Sequence, residues 1–106
     1  MNDYNNRQYK LMLQKVLLFR QDKIEIPDLI NGLDGLLNAL EDPNPNWKDT
    51  FQTEWWELEK VYSIALDQER EYLDSNDLKV IEKALDNIIS LINNKITNDD
   101  KSEFEI

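Results

Sequence analysis

The sequence predicts an all-α protein, a single-domain bundle of about four helices spanning residues 1–106, with frayed ends at about 1–4 and 97–106. A chain of 106 residues has room for one hydrophobic core. It contains only two glycines and three prolines. Apolar residues recur at three- and four-residue spacing in four segments that turn signals separate, and no segment alternates as a β-strand would.

The first two helices are predicted at about residues 5–21 and 27–41. The second begins near Pro27, which suits a first helical turn. One of its faces carries Gly32, Gly35 and Ala39, which predicts that another helix approaches closely there. The two predicted apolar stripes are Tyr9, Met12, Leu13, Val16, Leu17 and Phe19 or Arg20, and then Leu29, Ile30, Leu33, Leu36, Leu37 and Leu40.

The third helix is predicted at about residues 46–71, after the turn DPNPN. Asn46 suits its N-cap, with Asp49 three residues later near the positive end of the helix. The stripe that follows has the spacing of a bundle helix, and it assigns the first of the two adjacent tryptophans to the core. Its members are Phe51, Trp55, Leu58, Tyr62 and Ala65.

The fourth helix is predicted at about residues 75–95. Asp74 is its expected N-cap and Asp77 its N3 residue, while Leu73 and Leu78 fit a hydrophobic staple around them. The predicted stripe, broadened by Ala84, Ile89 and Leu91, is Leu78, Ile81, Leu85, Ile88 and Ile92.

The composition excludes most catalytic chemistry. The chain has no histidine and no cysteine, so it lacks the usual general base near neutral pH, a thiolate nucleophile and most zinc ligands. Glu54 with Glu57, or Asp99 with Asp100, could act as an acid and base pair or hold Mg²⁺ for a hydrolase, but such pairs arise by chance among 22 acidic residues. We therefore predict no enzyme activity, no catalytic residue, no metal and no cofactor.

The N-terminal stretch MNDYNNRQYK is too polar for a signal peptide, and the apolar run LMLQKVLLF is interrupted by Gln14 and Lys15. A chain without cysteine also suits a reducing compartment. We expect a cytoplasmic protein that does not enter a membrane.

Charge is unevenly distributed along the chain, whose net charge is −10. Residues 1–24 hold five basic and two acidic side chains, a net of +3, whereas residues 25–106 hold seven basic and 20 acidic ones, a net of −13. An acidic surface repels nucleic acid and anionic lipid and attracts basic proteins. Solubility alone is the competing explanation of this excess.

Trp56 is the candidate anchor for such a partner, because it lies about 100° around the third helix from Trp55. It is predicted at or beyond the edge of the core, either covered by the first helix or the C-terminal tail or in contact with a partner. An indole ringed by carboxylates suits a basic protein surface. The candidate partner-binding residues are Trp56, Glu54, Glu57, Glu59, Asp67, Glu69 and Glu71.

Residues 28–69, DLINGLDGLLNALEDPNPNWKDTFQTEWWELEKVYSIALDQE, carry a family resemblance. The second-helix stripe, the run W-x₃-F-x₃-WW-x-LE-x-VY and the following IALD resemble small acidic helical immunity proteins of bacterial polymorphic toxin and contact-dependent growth inhibition systems. The resemblance covers about residues 8–92. It implies a cytoplasmic antitoxin that binds the C-terminal domain of a cognate toxin, often a basic nuclease. It assigns no binding residues, because these families share no functional motif.

Other functions stay open at this stage. A nucleic-acid mimic would also be small and acidic, with carboxylates spaced like phosphates, and a helical adaptor or regulatory protein would have a similar composition. The Mg²⁺-dependent hydrolase is the remaining alternative. The sequence does not specify the toxin, the oligomeric state, or whether binding would block the toxin's active site or another surface.

Overall fold

A computed structural model describes the backbone of residues 3–70 and 73–104 and the side chains of residues 3–70 and 73–96. Over these ranges the chain forms four α-helices and no strand. The predicted all-α bundle of four helices is confirmed. The helices are α1 (Asp3–Arg20), α2 (Ile26–Ala39), α3 (Pro45–Asp67) and α4 (Ser75–Phe104).

α3 ends at Asp67, four residues before the predicted end at 71. The N–H of Arg70 donates to the carbonyl of Ala65 and that of Glu69 to Leu66, both at 3.0 Å, while Glu69 has a φ of 54°. This is a Schellman ending, in which the left-handed residue is usually glycine. Because this position is a glutamate and not a glycine, the sequence did not indicate that α3 ends here. α4, in contrast, continues to Phe104, and fraying of that end stays a prediction.

The predicted cap of α3 was wrong, whereas that of α4 is confirmed. Asn44 caps α3, since its Oδ1 accepts from the N–H of Trp47 at 3.1 Å. Pro45 then takes the first helical position, where its missing N–H costs nothing. In α4, Asp74 Oδ1 accepts from the N–H of Asp77 at 2.8 Å, and Asp77 Oδ2 accepts from the N–H of Asp74 at 3.0 Å.

The helices pack as a ring of neighbours. α1 contacts α2 and α4, α3 contacts the same two helices, and no contact crosses either diagonal within the described chain. Short turns place consecutive helices beside one another in this way. The buried apolar side chains line the centre: Tyr9, Met12, Val16, Ile26, Leu29, Ile30, Leu33, Leu37, Leu40, Trp47, Phe51, Leu58, Val61, Ala65, Ile81, Ala84, Leu85, Ile88 and Ile92.

Some predicted stripe residues lie outside this core. Leu17 is 54% exposed and Leu78 is 46% exposed, while Trp55 and Tyr62 are only partly buried against the core. Trp55 was predicted inside, but Val61 takes an interior place on α3 instead. The buried side of α3 is wide because it faces two helices, α2 and α4, and a single stripe drawn through the sequence does not show this width.

Gly32 confirms the predicted close approach, but Gly35 does not. A Cβ at Gly32 would lie 3.3 Å from the aliphatic stem of Lys15, which α1 lays across α2. A Cβ at Gly35 would meet nothing within 4 Å. The glycine pair therefore does not form a continuous packing face.

One end of the bundle is closed by aromatic rings, and we call it the aromatic end. Trp47 packs against Tyr9 and Phe51 with ring centroids 5.7 and 5.4 Å apart, and its Nε1 donates to the carbonyl of Leu91 at 3.0 Å. Asn5 exchanges two hydrogen bonds of 2.8 Å with the backbone of Glu41. The start of α1, the α2–α3 turn and the middle of α4 are thereby tied together.

Among the described residues, none of the helices has the length and low polarity that a membrane crossing requires.

Candidate partner-binding surface

Trp56 lies on the outer side of α3. Leu58, which is fully buried, marks the inward side of the helix, and two helical steps, about 200°, separate it from Trp56. The indole is 56% exposed. The predicted position at or beyond the edge of the core is confirmed. Two environments were predicted for this side chain. The described part of the chain does not cover it, because more than half of its surface is exposed to solvent.

Trp55 holds Trp56 in place from the side. Its Nε1 donates to the carbonyl of Ile30 on α2 at 2.8 Å, so the ring bridges α2 and α3. Trp56 meets it edge to face, with centroids 5.3 Å apart and planes at 75°. Such an aromatic contact favours one ring orientation. The doublet therefore consists of a structural tryptophan and an exposed tryptophan that rests on it.

Two of the predicted acids face away from Trp56, toward α4. Glu54 Oε2 accepts from Asn87 Nδ2 at 3.1 Å, and Glu57 pairs with Lys60 Nζ at 2.9 Å. Both carboxylates line a shallow groove of about 390 Å³ beside Lys83 of α4. Glu54 and Glu57 thus have partners in the fold, and the groove that they line contains both signs of charge.

Three other predicted acids lie on the outer side of α3 or at its end. Glu59 follows Trp56 by one turn, about 60° around the helix, and Asp67 lies at nearly the same angle as Trp56 but about 16 Å along the axis. Neither forms an ion pair in the described part of the chain. Glu69 is exposed at the end of the helix. Glu71 lies outside the described residues.

α2 extends this acidic side of the molecule. Residues 25–46 contain five acidic side chains and no basic one. Asp34 follows Ile30 by four residues, so it lies on the side of α2 that meets α3. We call the surface formed by Asp34, Trp55, Trp56, Glu59 and Asp67 the α2–α3 face.

The opposite interface, between α1 and α4, neutralises its acids. Arg20 Nη2 lies 2.8 Å from both Glu82 Oε2 and Asp86 Oδ1. The hydrogen bond that Arg20 donates to Asp86, opposed by partial burial, raises the pKa of Arg20. Unpaired acids and an exposed aromatic ring thus occur together on the α2–α3 face, which is the best candidate for partner binding.

No metal site is formed by the side chains that the structure describes, since no three acidic residues, with histidine and cysteine absent, converge on one point. Asp99 and Asp100 lie where side chains are not described. The prediction that this is not an enzyme stays a prediction.

In comparisons with known proteins, no family model, curated protein or solved structure matches this chain.

Proposed function

We propose that this protein is an immunity protein, an antitoxin that binds a basic toxin domain through the α2–α3 face and so neutralises it. One observation carries the proposal: a tryptophan that is 56% exposed lies on the side of the bundle whose acids are unpaired. An exposed indole contributes little to stability, whereas tryptophan is among the residues that contribute most to protein interfaces.

In the proposed complex, Trp56 inserts between basic side chains of the toxin, and its ring provides buried area and cation–π attraction. Trp55 reduces the ordering cost of binding, because it already restricts the Trp56 ring. Glu59, Asp67 and Asp34 accelerate encounter with a positively charged partner. An interface of standard size, about 800 Å² on each partner, would cover this face and shield the toxin surface beneath it.

The resemblance to immunity proteins and the net charge of −13 beyond residue 24 support the same partner class. A nucleic-acid mimic would need carboxylates at phosphate-like intervals, and an aromatic ring at the centre of the face would not serve it. Two results would favour the mimic. Duplex DNA would compete with this protein for the partner, and the affinity of this protein would fall equally with every acid-to-amide change but not with Trp56→Ala.

The test uses the toxin domain encoded beside this gene, with stopped-flow measurement of association and dissociation. Trp56→Ala should weaken binding by roughly 2 kcal/mol, about thirtyfold, mainly through faster dissociation. Leu17→Ala is the matched control, because Leu17 is similarly exposed, at 54%, on α1, diagonally across the bundle. Unchanged kinetics in Trp56→Ala, with the fold intact, would contradict the proposed site.

The role of charge is tested separately with Glu59→Gln. This variant should slow association with little change in dissociation, and the difference should shrink as salt shortens the Debye length. Gln14→Lys makes the same unit change of charge on exposed α1 surface. Equal slowing by both variants would mean that only net charge matters, and not the α2–α3 face.

A further inference from the structure

The bundle is open at the end opposite its aromatic end. There the end of α1, the start of α2, the end of α3 and the start of α4 enclose a groove of about 560 Å³, which we call the end groove. Its apolar walls include Phe19, Pro27, Tyr62, Leu66 and Leu78. All four helices contribute, so this groove belongs to the completed fold and not to any single element.

The groove leaves large apolar side chains in contact with water. Leu66 on α3 is 55% exposed and Leu78 on α4 is 46% exposed, and both line the same concavity. Single exposed leucines are ordinary, but these two line one groove together with Phe19, Pro27 and Tyr62 and so contribute to a shared apolar surface. Such a surface can bury an apolar side chain of another molecule.

The charge around the end groove indicates which kind of side chain from another molecule it could bind. Asp22 and Glu25 line it, and among the described residues Arg70 is its only lining base. Arg70 already donates to Asp74 at 3.1 Å and to Asp77, so its charge is compensated. The surroundings are therefore negative, and they favour an apolar group that carries positive charge beside it.

An anionic ligand is disfavoured at this end, although two helices begin here. Their N-terminal N–H groups have carboxylate partners within the chain. Asp28 accepts from the N–H of Glu25 at 3.1 Å, and Asp74 accepts from the N–H of Asp77 at 2.8 Å. The positive ends of α2 and α4 are thus already neutralised.

We propose that the end groove receives one apolar side chain of a basic protein partner, while lysine or arginine residues beside it contact Asp22 and Glu25. This rests on the proposed function and adds a second contact point to it. Leu66 follows Trp56 by ten residues, about 15 Å along α3. One partner surface of ordinary size can therefore cover both sites. Trp56 would project into the partner, and the end groove would receive a side chain from it.

The groove is tested on the full chain with a defined probe, a synthetic peptide that has one phenylalanine between two pairs of lysines. Titration followed by amide chemical shifts should give saturable changes at Ile24, Leu66 and Leu78. A peptide with alanine in place of phenylalanine should bind at least fivefold more weakly. Leu66→Lys should reduce affinity for the phenylalanine peptide about tenfold, whereas Leu17→Lys, an equal change at equal exposure on α1, should not.

Four results would overturn the proposal. The two peptides could bind equally, or the two lysine variants could lose affinity equally, either of which would reduce the effect to charge attraction. The shifts could centre on Trp56 and not on the groove. Sedimentation could show self-association that Leu66→Lys abolishes, which would assign the groove to a second copy of this chain.

The same variants separate this proposal from the proposed function. If Trp56→Ala weakens binding of the neighbouring toxin domain and Leu66→Lys does not, the groove proposal fails and the proposed function stands. If neither variant changes binding of that domain, the α2–α3 face is not its site, and saturable, phenylalanine-dependent peptide binding would still support the groove.

Discussion

The two ends of the bundle differ in how their apolar side chains are packed. At the aromatic end, Trp47 lies between Tyr9 and Phe51, and its N–H donates to Leu91. At the end groove, Leu66 of α3 and Leu78 of α4 line the concavity and stay about half exposed. Both ends contain apolar and aromatic residues, since Phe19 and Tyr62 line the end groove, but among the described rings only Trp47 packs between two others.

Polar side chains join segments at both ends of the bundle, but the segments lie much farther apart in sequence at the aromatic end. At the aromatic end, side chains tie separate segments together, as Asn5 does with the backbone of Glu41. At the end groove, Arg70 joins the segment after α3 to the start of α4 through Asp74 and Asp77, which also accept from each other's N–H groups. Such caps fix the helix start without covering the apolar walls beside it. A helix end can therefore be well ordered and still leave a surface available for binding.

The largest expected effect is at the aromatic end. Trp47→Ala should lower the free energy of unfolding by about 3–5 kcal/mol, because it empties a large interior volume and leaves the Leu91 carbonyl without its donor. Urea denaturation measures the loss. Trp56→Ala is the control on the same helix and should cost less than about 1 kcal/mol. Equal losses would mean that the assigned faces of α3 are wrong.

The next effect is a gain of stability beside the end groove. Glu69 has a φ of 54°, a left-handed conformation that costs non-glycine residues about 1 kcal/mol or more. Glu69→Gly should therefore stabilise the protein by about 0.5–1 kcal/mol in thermal or urea unfolding. Asp22, with a φ of 58°, should gain less from the same change, since aspartate tolerates this region better. Destabilisation by Glu69→Gly would show that its side chain is needed for the fold.

A smaller effect is expected when the wall of the groove is cut back. Leu66→Ala should change stability by less than about 0.5 kcal/mol, because the side chain is already half in water. Leu58→Ala, eight residues earlier and fully buried, should cost about 2–5 kcal/mol. A large loss in Leu66→Ala would show that the end groove is closed in solution.

The smallest expected effect is on stability at low pH. The hydrogen bond from Arg70, helped by the N–H of Asp74, holds the pKa of Asp77 below its usual value. Stabilisation by this group is complete above its unfolded pKa of about 3.9 and is lost as pH falls toward the lower folded value, since the unfolded chain takes up the proton first. Asp77→Asn should flatten the pH dependence of the urea midpoint in that range. Asn76→Ala, at an exposed neighbour that has no titratable group, should leave it unchanged.

Much of the fold follows from single-helix geometry. Turn residues and apolar spacing located all four helices, and the 100° step placed Trp56 outside the core. Trp55 and Val61 were misplaced because their burial depends on which helices flank α3, and the sequence does not state this. The end of α3 was missed because its left-handed residue is glutamate.

The candidate surface was less predictable for the same reason. Glu54 looked like a neighbour of Trp56 along the sequence, but it is held by Asn87 of α4, 33 residues away. The end groove had no sequence signal, since its walls come from the ends of four helices.

The ring of neighbouring helices also has a consequence for how the chain folds. Three of its four interfaces join helices consecutive in sequence, whereas the α1–α4 interface closes over a long span, as from Arg20 to Asp86, 66 residues apart. Local contacts form quickly, and the long loop adds entropy that must be overcome before α1 meets α4. We expect this closure after the rate-limiting barrier. Arg20→Ala would then accelerate unfolding in chevron experiments and leave the folding rate nearly unchanged.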